Sequence, residues 1–454
     1  MAPHAGTFAQ GSALLHFTRN GNFGPDGAEL MVVERGEGAY IFDTHGNRYV
    51  DGLSSLFCAQ IGYSYGEEMG AVAAQQLQQL AFNTMWGTAH PPALELADRL
   101  AALAPEGVDR VFFTSGGSEA VEAAWKIARQ YHVANGEPQR LKAIARNIAY
   151  HGVTLGALSF TGVPAYKEQF GPPAIYTRHV SNTNAFRSEL QGEELTAKLL
   201  QEIEDVILEE GPETIGVIIA EPVQNAGGCL VPPPGYWQGL RRLADRYGIL
   251  LHADEVITGF GRLGEYFGVT RFDTTPDLLT VAKGLTSAYA PMGAVLVSER
   301  VAAPLYEDGR TLLHGITFGG HPLCAAIALK NLEIFEREQV LENVRAHEDG
   351  LRARLEQLKE DLPIVGDVRG AGFFWAVELV KDDNTRFDAE ERERLLRGYM
   401  APAMLEAGLI ARADDRGDTI LQIAPPLISD DDVLDEIVEK MRTVLVGAQQ
   451  LALV

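Results

Sequence analysis

The sequence predicts an α/β protein, with a large domain on a mostly parallel sheet and a smaller α+β domain. Three observations predict it. Apolar runs of strand length alternate with helical segments through the middle of the chain, in KAIARNIAYHG, TIGVIIAEPV, ILLHADEV, LLTVAKG and MGAVLVS. Such runs suit strands buried on both faces. Near residue 322 the texture changes to a long charged helix, paired strands, then helix, strand and helix. A length of 454 residues exceeds one ordinary domain, and 46% hydrophobic content is ample for packed cores. The expected division is 1–60 for an N-terminal arm with part of the small domain, 61–322 for the large domain, and 323–454 for the C-terminal small domain.

In chain order, an irregular arm precedes LMVVERGEGAYIFDTHGNRYVDG, which alternates like short strands around the turn formers His45, Gly46 and Asn47. Helices follow through EEMGAVAAQQLQQLA and PPALELADRLAALAP. DRVFFTSGGSEAVEAAWKIARQYH reads as a strand, a small-residue turn and a helix with Val121, Ala124, Ile127, Ala128 and Tyr131 on one face. Beyond residue 322, PLCAAIALKNLEIFERE and onward reads as one long helix, and VGDVRGAGFFWAVELV as paired antiparallel strands. The helix AEERERLLRGYMAPAMLEAG, the strand DTILQIAPPL and the helix SDDDVLDEIVEKMRTVL complete the chain.

The strand ends carry the chemistry. Asp254 leaves one apolar run and Lys283 leaves the next, so a parallel sheet delivers both to its carboxyl edge, where such folds build sites. Upstream, TSGGSEAVE places Gly116, Gly117 and Ser118 at a helix start, where free N–H groups and the helix dipole favour an anion. Together these are the parts needed to hold pyridoxal phosphate: a lysine for a Schiff base, an acid for the pyridine nitrogen, and a helix start for the phosphate. Tyr150, at the end of another strand, could lie flat on the ring, and Glu221 in AEPV ends a fourth strand at the same edge. Each part has a plainer reading. Asp254 and Lys283 could form a buried structural salt bridge, Ser118 could cap its helix with Glu122 in the first turn, and Tyr150 could be core.

Other chemistries fit less well. GFGRLG (Gly259 to Gly264) matches a dinucleotide pattern but is followed by EYFGVTRFDTTPD, which has no helical face. His252, His314 and His321 lack the spacing of metal ligands, so no metal is expected, and no G-x-S-x-G elbow occurs. With 38 basic against 62 acidic residues the net charge is −24, which repels nucleic-acid backbones and anionic lipid. No apolar stretch approaches the roughly 20 residues of a membrane span, and the first residues lack the pattern of a signal peptide. Three scattered cysteines (Cys58, Cys229, Cys324) suit reduced thiols in a cytoplasm.

The ordered strings FTSGGSEAVE, YHG, AEPVQNAGG, LLHADEVITGFGRLGEYFG, PDLLTVAKGLTSAYAPMGAVLVS, HGITFGGHPLCAAIAL and TILQIAPPLI resemble the class III aminotransferases, pyridoxal-phosphate enzymes of fold type I. The resemblance runs from about residue 15 to 445, with Lys283 following Asp254 by 29 residues. It implies that Lys283 carries the Schiff base and moves the substrate proton, and that Asp254 pairs with the pyridine nitrogen. It also implies that Gly117 and Ser118 hold the phosphate, Tyr150 and Val256 take the two ring faces, and Glu221 stands near the ring. Thr317, in HGITFGGHP, is similar to the residue that reaches the neighbouring subunit's phosphate, which makes a homodimer with shared active sites obligatory; tetramers of such dimers stay open.

Within this family, users of glutamate-like donors carry a glutamate shortly after EPVQ that pairs with a C-terminal arginine. Here that position is Ala226 and the matching arginine is Arg412, in LIARADDRGDT, with Arg416 close enough to compete. An arginine without that acid resembles the ω-amine:pyruvate branch, with Phe17, Phe57 and Trp86 as an apolar wall or as ordinary core. The implied activity is a ping-pong transfer of an amino group from an amine or ω-amino acid to a keto acid, pyruvate first. The alternatives are 2-oxoglutarate as acceptor, an aminomutase or racemase on the same fold, and a non-catalytic binding protein.

Overall fold

A computed structural model describes residues 12–23, 29–307 and 309–452. The first eleven residues of the expected N-terminal arm lie outside the described residues. Strands β1 (Val33–Glu37), β2 (Tyr40–Asp43) and β3 (Arg48–Asp51) form an antiparallel meander. Asp43 fixes its second turn: Oδ1 accepts from the N–H groups of His45 at 2.9 Å and Asn47 at 2.8 Å.

The described residues then build a seven-stranded sheet from β4 (Val108–Thr114), β5 (Lys142–Arg146), β6 (Thr177–Val180), β7 (Ile215–Ala220), β8 (Leu250–Asp254), β9 (Leu278–Val281) and β10 (Gly293–Ser298). Their spatial order is β4-β10-β9-β8-β7-β5-β6. The pairs β6–β5, β5–β7, β7–β8 and β8–β9 are parallel, and β10 runs antiparallel to both β9 and β4. Hence β4 points the same way as β5 to β9, and all their carboxyl ends share one edge. Every residue of β7, β8, β9 and β10 is buried, as continuous apolar runs require. The helix Gly117–Ala134 lays Val121, Ala124, Ile127 and Ala128 on the sheet, with Tyr131 half-buried at the rim.

In the C-terminal part, β11 (Val365–Ala371), β12 (Phe374–Leu379), β13 (Leu409–Ile410), β14 (Arg412–Asp414) and β15 (Ile420–Ile423) follow. β11, β12, β15 and β14 form an antiparallel sheet, while β13 joins β3 in parallel and ties the N-terminal meander to the C-terminal region. One expectation needs correction. The long charged helix is two helices, Pro322–Arg337 and Val340–Asp361, broken where Gln339 adopts a left-handed φ of 51°. The break redirects the chain so that Val340, Leu341 and Val344 bury their own apolar face at the start of the second helix.

Arg262 joins the parts. It is fully buried, its Nη1 donates to the carbonyls of Phe373 (3.0 Å) and Pro425 (2.6 Å), and its Nη2 donates to Ser54 Oγ (3.1 Å). Burial pulls its pKa down to about 9. The GFGRLG segment that contains it runs through turns, and the short 3₁₀ turn Gly268–Phe272 follows instead of the helix a dinucleotide fold needs.

Candidate active site

Five strand ends meet at one cavity of about 450 Å³. Of the residues expected to hold a cofactor, Gly117, Ser118, Tyr150, Glu221, Asp254, Val256 and Lys283 all line it, and Thr317 does not. Parallel pairing sets Asp254 opposite Thr280, so the acid at the end of β8 and the lysine two residues past the end of β9 arrive side by side.

Asp254 is 4% exposed. Its Oδ2 lies 2.7 Å from His151 Nδ1, while Oδ1 accepts from Thr280 Oγ1 at 3.1 Å and from the Val256 N–H at 3.2 Å. Burial opposes ionisation most strongly, but the hydrogen bond and charge of His151, with His252 and the Val256 N–H, together outweigh it and hold the carboxyl below its usual range. An ionised Asp254 can only accept, so His151 Nδ1 carries the proton of that bond. The result is an anion fixed in orientation at the floor of the cavity, as a partner for a protonated ring nitrogen must be.

Lys283 is half-buried, in the left-handed region at φ 41°, at the start of the 3₁₀ turn Lys283–Leu285. Burial lowers its pKa, which Cys58, Asp254 and Glu221 only partly offset. Its amine makes no hydrogen bond or ion pair among the described residues, which leaves it available to a ligand.

The helix start fits an anion. Ala120 is the first residue whose N–H finds a helical acceptor, Gly116 O at 3.0 Å, so the amides of Gly117 and Ser118 are free to point at a phosphate. Capping is not the role of Ser118, because its Oγ accepts from the Val153 N–H at 3.0 Å and makes no cap bond. A Cβ on Gly117 would come within 2.9 Å of Val256 Cγ1, so only glycine lets the helix start approach the wall formed by Val256. Tyr150 is half-buried, and its N–H donates to Glu221 Oε1 at 3.3 Å. Glu221 Oε2 accepts from the Asn225 N–H at 2.9 Å, and burial pushes this carboxyl upward. The glutamate thus anchors the backbone that presents the tyrosine. A buried anion, a free amine, free helix amides and two facing walls suit pyridoxal phosphate.

The expected substrate residues divide. Phe57 is buried, edge-on to Phe374 at 5.8 Å, with the Arg412 guanidinium 6.0 Å from its ring centre. Its neighbour Cys58 lines the cavity, a place the sequence did not single out. Phe17 is 70% exposed and reaches the site through Tyr166, whose ring lies 5.1 Å from Phe17 and 6.4 Å from Tyr150. Trp86 is 64% exposed and lies away from the Lys283 cavity. It lines a separate hollow with Phe112, His314, Gly315 and Ile316, and Thr317 is exposed on the same segment. Ala226 is buried, and the acid beside Arg412 is Asp414, 3.3 Å from its Nε. The expectation of an arginine without an acidic partner is therefore corrected, because a hairpin acid takes the place of the missing glutamate. Among the described residues no cluster of three metal-ligating side chains occurs, and no helix is long and apolar enough to cross a membrane.

Comparison with known proteins agrees with this geometry. The family described as "Aminotransferase class-III" matches residues 24–445. A probable aminotransferase of Mycobacterium tuberculosis is 49% identical over 436 residues, covering 95% of this chain and 92% of that protein. The putrescine–pyruvate aminotransferase of Pseudomonas aeruginosa is 39% identical over 419 residues, covering 91% and 90%. The crystal structure of an (S)-enantioselective omega-transaminase from Thermomicrobium roseum superposes with a TM-score of 0.91 at 41% identity, covering 96% of each chain. Sequence, fold and site converge: the chain belongs to the class III aminotransferases, enzymes of fold type I that use pyridoxal phosphate.

Proposed function

We propose that this aminotransferase moves an amino group from an amine or ω-amino acid to a short keto acid, pyruvate above all, by a ping-pong mechanism in a homodimer. The carrying observation is the charge arrangement beside the cavity, where Arg412 and Arg416 share the single buried carboxylate of Asp414. Two guanidiniums on one carboxylate leave one positive charge unmatched, which suits an acceptor with one carboxylate. A second carboxylate, as in 2-oxoglutarate, has no further cation waiting in this cluster. The similarity to a putrescine–pyruvate aminotransferase supports the same acceptor. A panel of amine donors assayed with pyruvate and with 2-oxoglutarate tests the reading, and a clear preference for 2-oxoglutarate overturns it.

Bound pyridoxal phosphate supplies an electron sink for the charge left when the substrate Cα loses its proton. The chain's own residues do the rest. Asp254 keeps a proton on the pyridine nitrogen, and Lys283 Nζ takes the Cα proton and returns it. The amides of Gly117 and Ser118 hold the phosphate, while Tyr150 and Val256 hold the ring between them. Phe57 and Phe17, which flank the Lys283 cavity without lining it, are the candidates for the apolar side that receives an uncharged amine. Three unpaired cysteines are in keeping with a cytoplasmic setting.

Arg412→Ala is expected to slow the pyruvate half-reaction far more than the half-reaction with an uncharged amine. The lost bidentate contact is worth roughly 1.5–3 kcal/mol, about a 10- to 150-fold difference between the two half-reactions. Stopped-flow absorbance of each half-reaction measures it, and equal losses mean a structural arginine.

Thr317 and Trp86 lie on an exposed apolar face with Phe82, Phe318 and Leu313, which we assign to the contact with a second copy. There Thr317 reaches the partner's phosphate and Trp86 the partner's substrate. Thr317→Ala then weakens cofactor binding by about 10- to 150-fold, the value of one hydrogen bond to a charged group. In mixed dimers with Lys283→Ala, one site of each pair regains both residues and binds cofactor normally. A mixture no better than its two parents shows that each site is built from one chain.

A further inference from the structure

The hairpin of β14 and β15 carries three alternate residues, Arg412, Asp414 and Arg416, in the string RADDRGD. Asp414 is 5% exposed. Arg412 touches it once, Nε to Oδ2 at 3.3 Å. Arg416 grips it, with Nε 3.0 Å from Oδ1 and 2.7 Å from Oδ2, Nη2 also on Oδ2, and its backbone N–H 3.0 Å from Oδ1. The other acids of the turn are engaged elsewhere, Asp415 with Arg397 at 3.0 Å and Asp418 with Arg386 and with Asn184 Nδ2 at 3.2 Å. Arg416 is the more buried of the two arginines and lies 6.0 Å from the Tyr150 ring, while Arg412 lies 6.0 Å from the Phe57 ring.

A buried carboxylate stripped of its cation is strongly destabilised, so an arginine that is the sole partner of such an acid is held in place. We propose that Arg416 is a positioning residue, the permanent counter-ion of Asp414, whose presence lets the Arg412 guanidinium leave that acid for the carboxylate of the keto acid. The inference rests on the reading of Arg412 as the carboxylate binder. Asp414 serves as the resting place of Arg412 when an uncharged amine fills the cavity, and Arg416 keeps Asp414 neutralised when Arg412 departs. The asymmetry of the contacts matches these roles: the grip of Arg416 is bidentate, and the touch of Arg412 is single.

The test uses the holoenzyme and reads two half-reactions by stopped-flow absorbance, one with pyruvate and one with benzylamine or the fastest carboxylate-free amine of the donor panel. Arg416→Gln keeps the bulk of the side chain but removes the charge. It is expected to raise the apparent dissociation constant for pyruvate at least tenfold while the limiting rate changes far less. It is also expected to cost at least tenfold more on the pyruvate side than on the amine side. Arg416→Lys restores most of the loss, because the counter-charge returns. Asp414→Asn added to Arg416→Gln also restores pyruvate affinity, because Arg412 no longer has an anion to stay with. Equal losses on both half-reactions, an unchanged pyruvate constant, or no recovery in the double variant overturns the proposal. Should Arg416→Gln fail to fold, Asp414→Asn alone decides: pyruvate affinity held or improved supports the role, and a tenfold loss overturns it. Arg412→Ala separates the two levels. If it spares pyruvate, the underlying reading fails; if it damages pyruvate selectively and Arg416→Gln does not, only the counter-ion role falls.

Discussion

Lys283→Ala is expected to abolish turnover while leaving the fold intact. The side chain opens on the cavity and makes no hydrogen bond or ion pair among the described residues, so its removal breaks neither kind of bond. Its chemistry is another matter. On the proposed reading the amine both links covalently to the cofactor and carries the substrate proton, and a positioned acid–base group alone contributes about 10²–10⁴-fold. Burial lowers the lysine's pKa and so raises the share of neutral amine, the form that accepts a proton. Steady-state assays are expected to show activity below roughly 10⁻⁴ of the parent enzyme. Near-UV circular dichroism and sedimentation are expected to be unchanged. Turnover surviving near the parent level would remove the central assignment.

Asp254→Asn is expected to retain the cofactor and lose one to three orders of magnitude in the half-reaction with amine. An opposite charge within contact distance shifts a pKa by about 1–3 units, so the neutral amide lets the pyridine nitrogen shed its proton. That removes roughly 10- to 1,000-fold of the protonated population near neutral pH, and the electron sink weakens with it. The substitution also disturbs His151, whose Nδ1–H loses an ionic acceptor. On the proposed reading, cofactor retention rests on the helix start and on Lys283, which the change does not touch. Stopped-flow absorbance gives the rate; an unchanged value would mean that the ring nitrogen has another partner.

Much of this site was legible because strand ends in a parallel sheet have only one edge at which to deliver polar residues. The fully buried strands β7, β8 and β9 are short apolar runs; Glu221 follows β7 directly, Asp254 ends β8 and Lys283 lies two residues past β9. β6 has no apolar run to mark it, since Thr177–Val180 is a polar edge strand with a single fully buried residue. No glycine or proline marks the break at Gln339. His151 was visible in AYHG but its partner Asp254 lies 103 residues away, and no local pattern reports such a contact. Asp414 did have a signal. Residues two apart on a strand share a face, so Arg412 and Asp414 had to be neighbours once that segment is read as a strand. Trp86 and Thr317 were grouped with the cavity by resemblance, whereas within one chain they sit on a different face.

Arg262 has a consequence for how the chain comes apart. Its guanidinium is bound by two carbonyl oxygens and a hydroxyl drawn from three remote stretches of sequence, and it pairs with no carboxylate among the described residues. Peeling away the C-terminal sheet strips a dry cation of acceptors at Phe373 and Pro425, with about 1.5–3 kcal/mol lost for each such bond. Loosening the short helix Ser54–Phe57 that follows the N-terminal meander removes Ser54 in the same way. Local opening of either region is therefore penalised at a point only six residues along the chain from Val256, which lines the cavity. The regions melt together rather than in turn, and any ligand that tightens the cavity raises the resistance of the whole chain to heat.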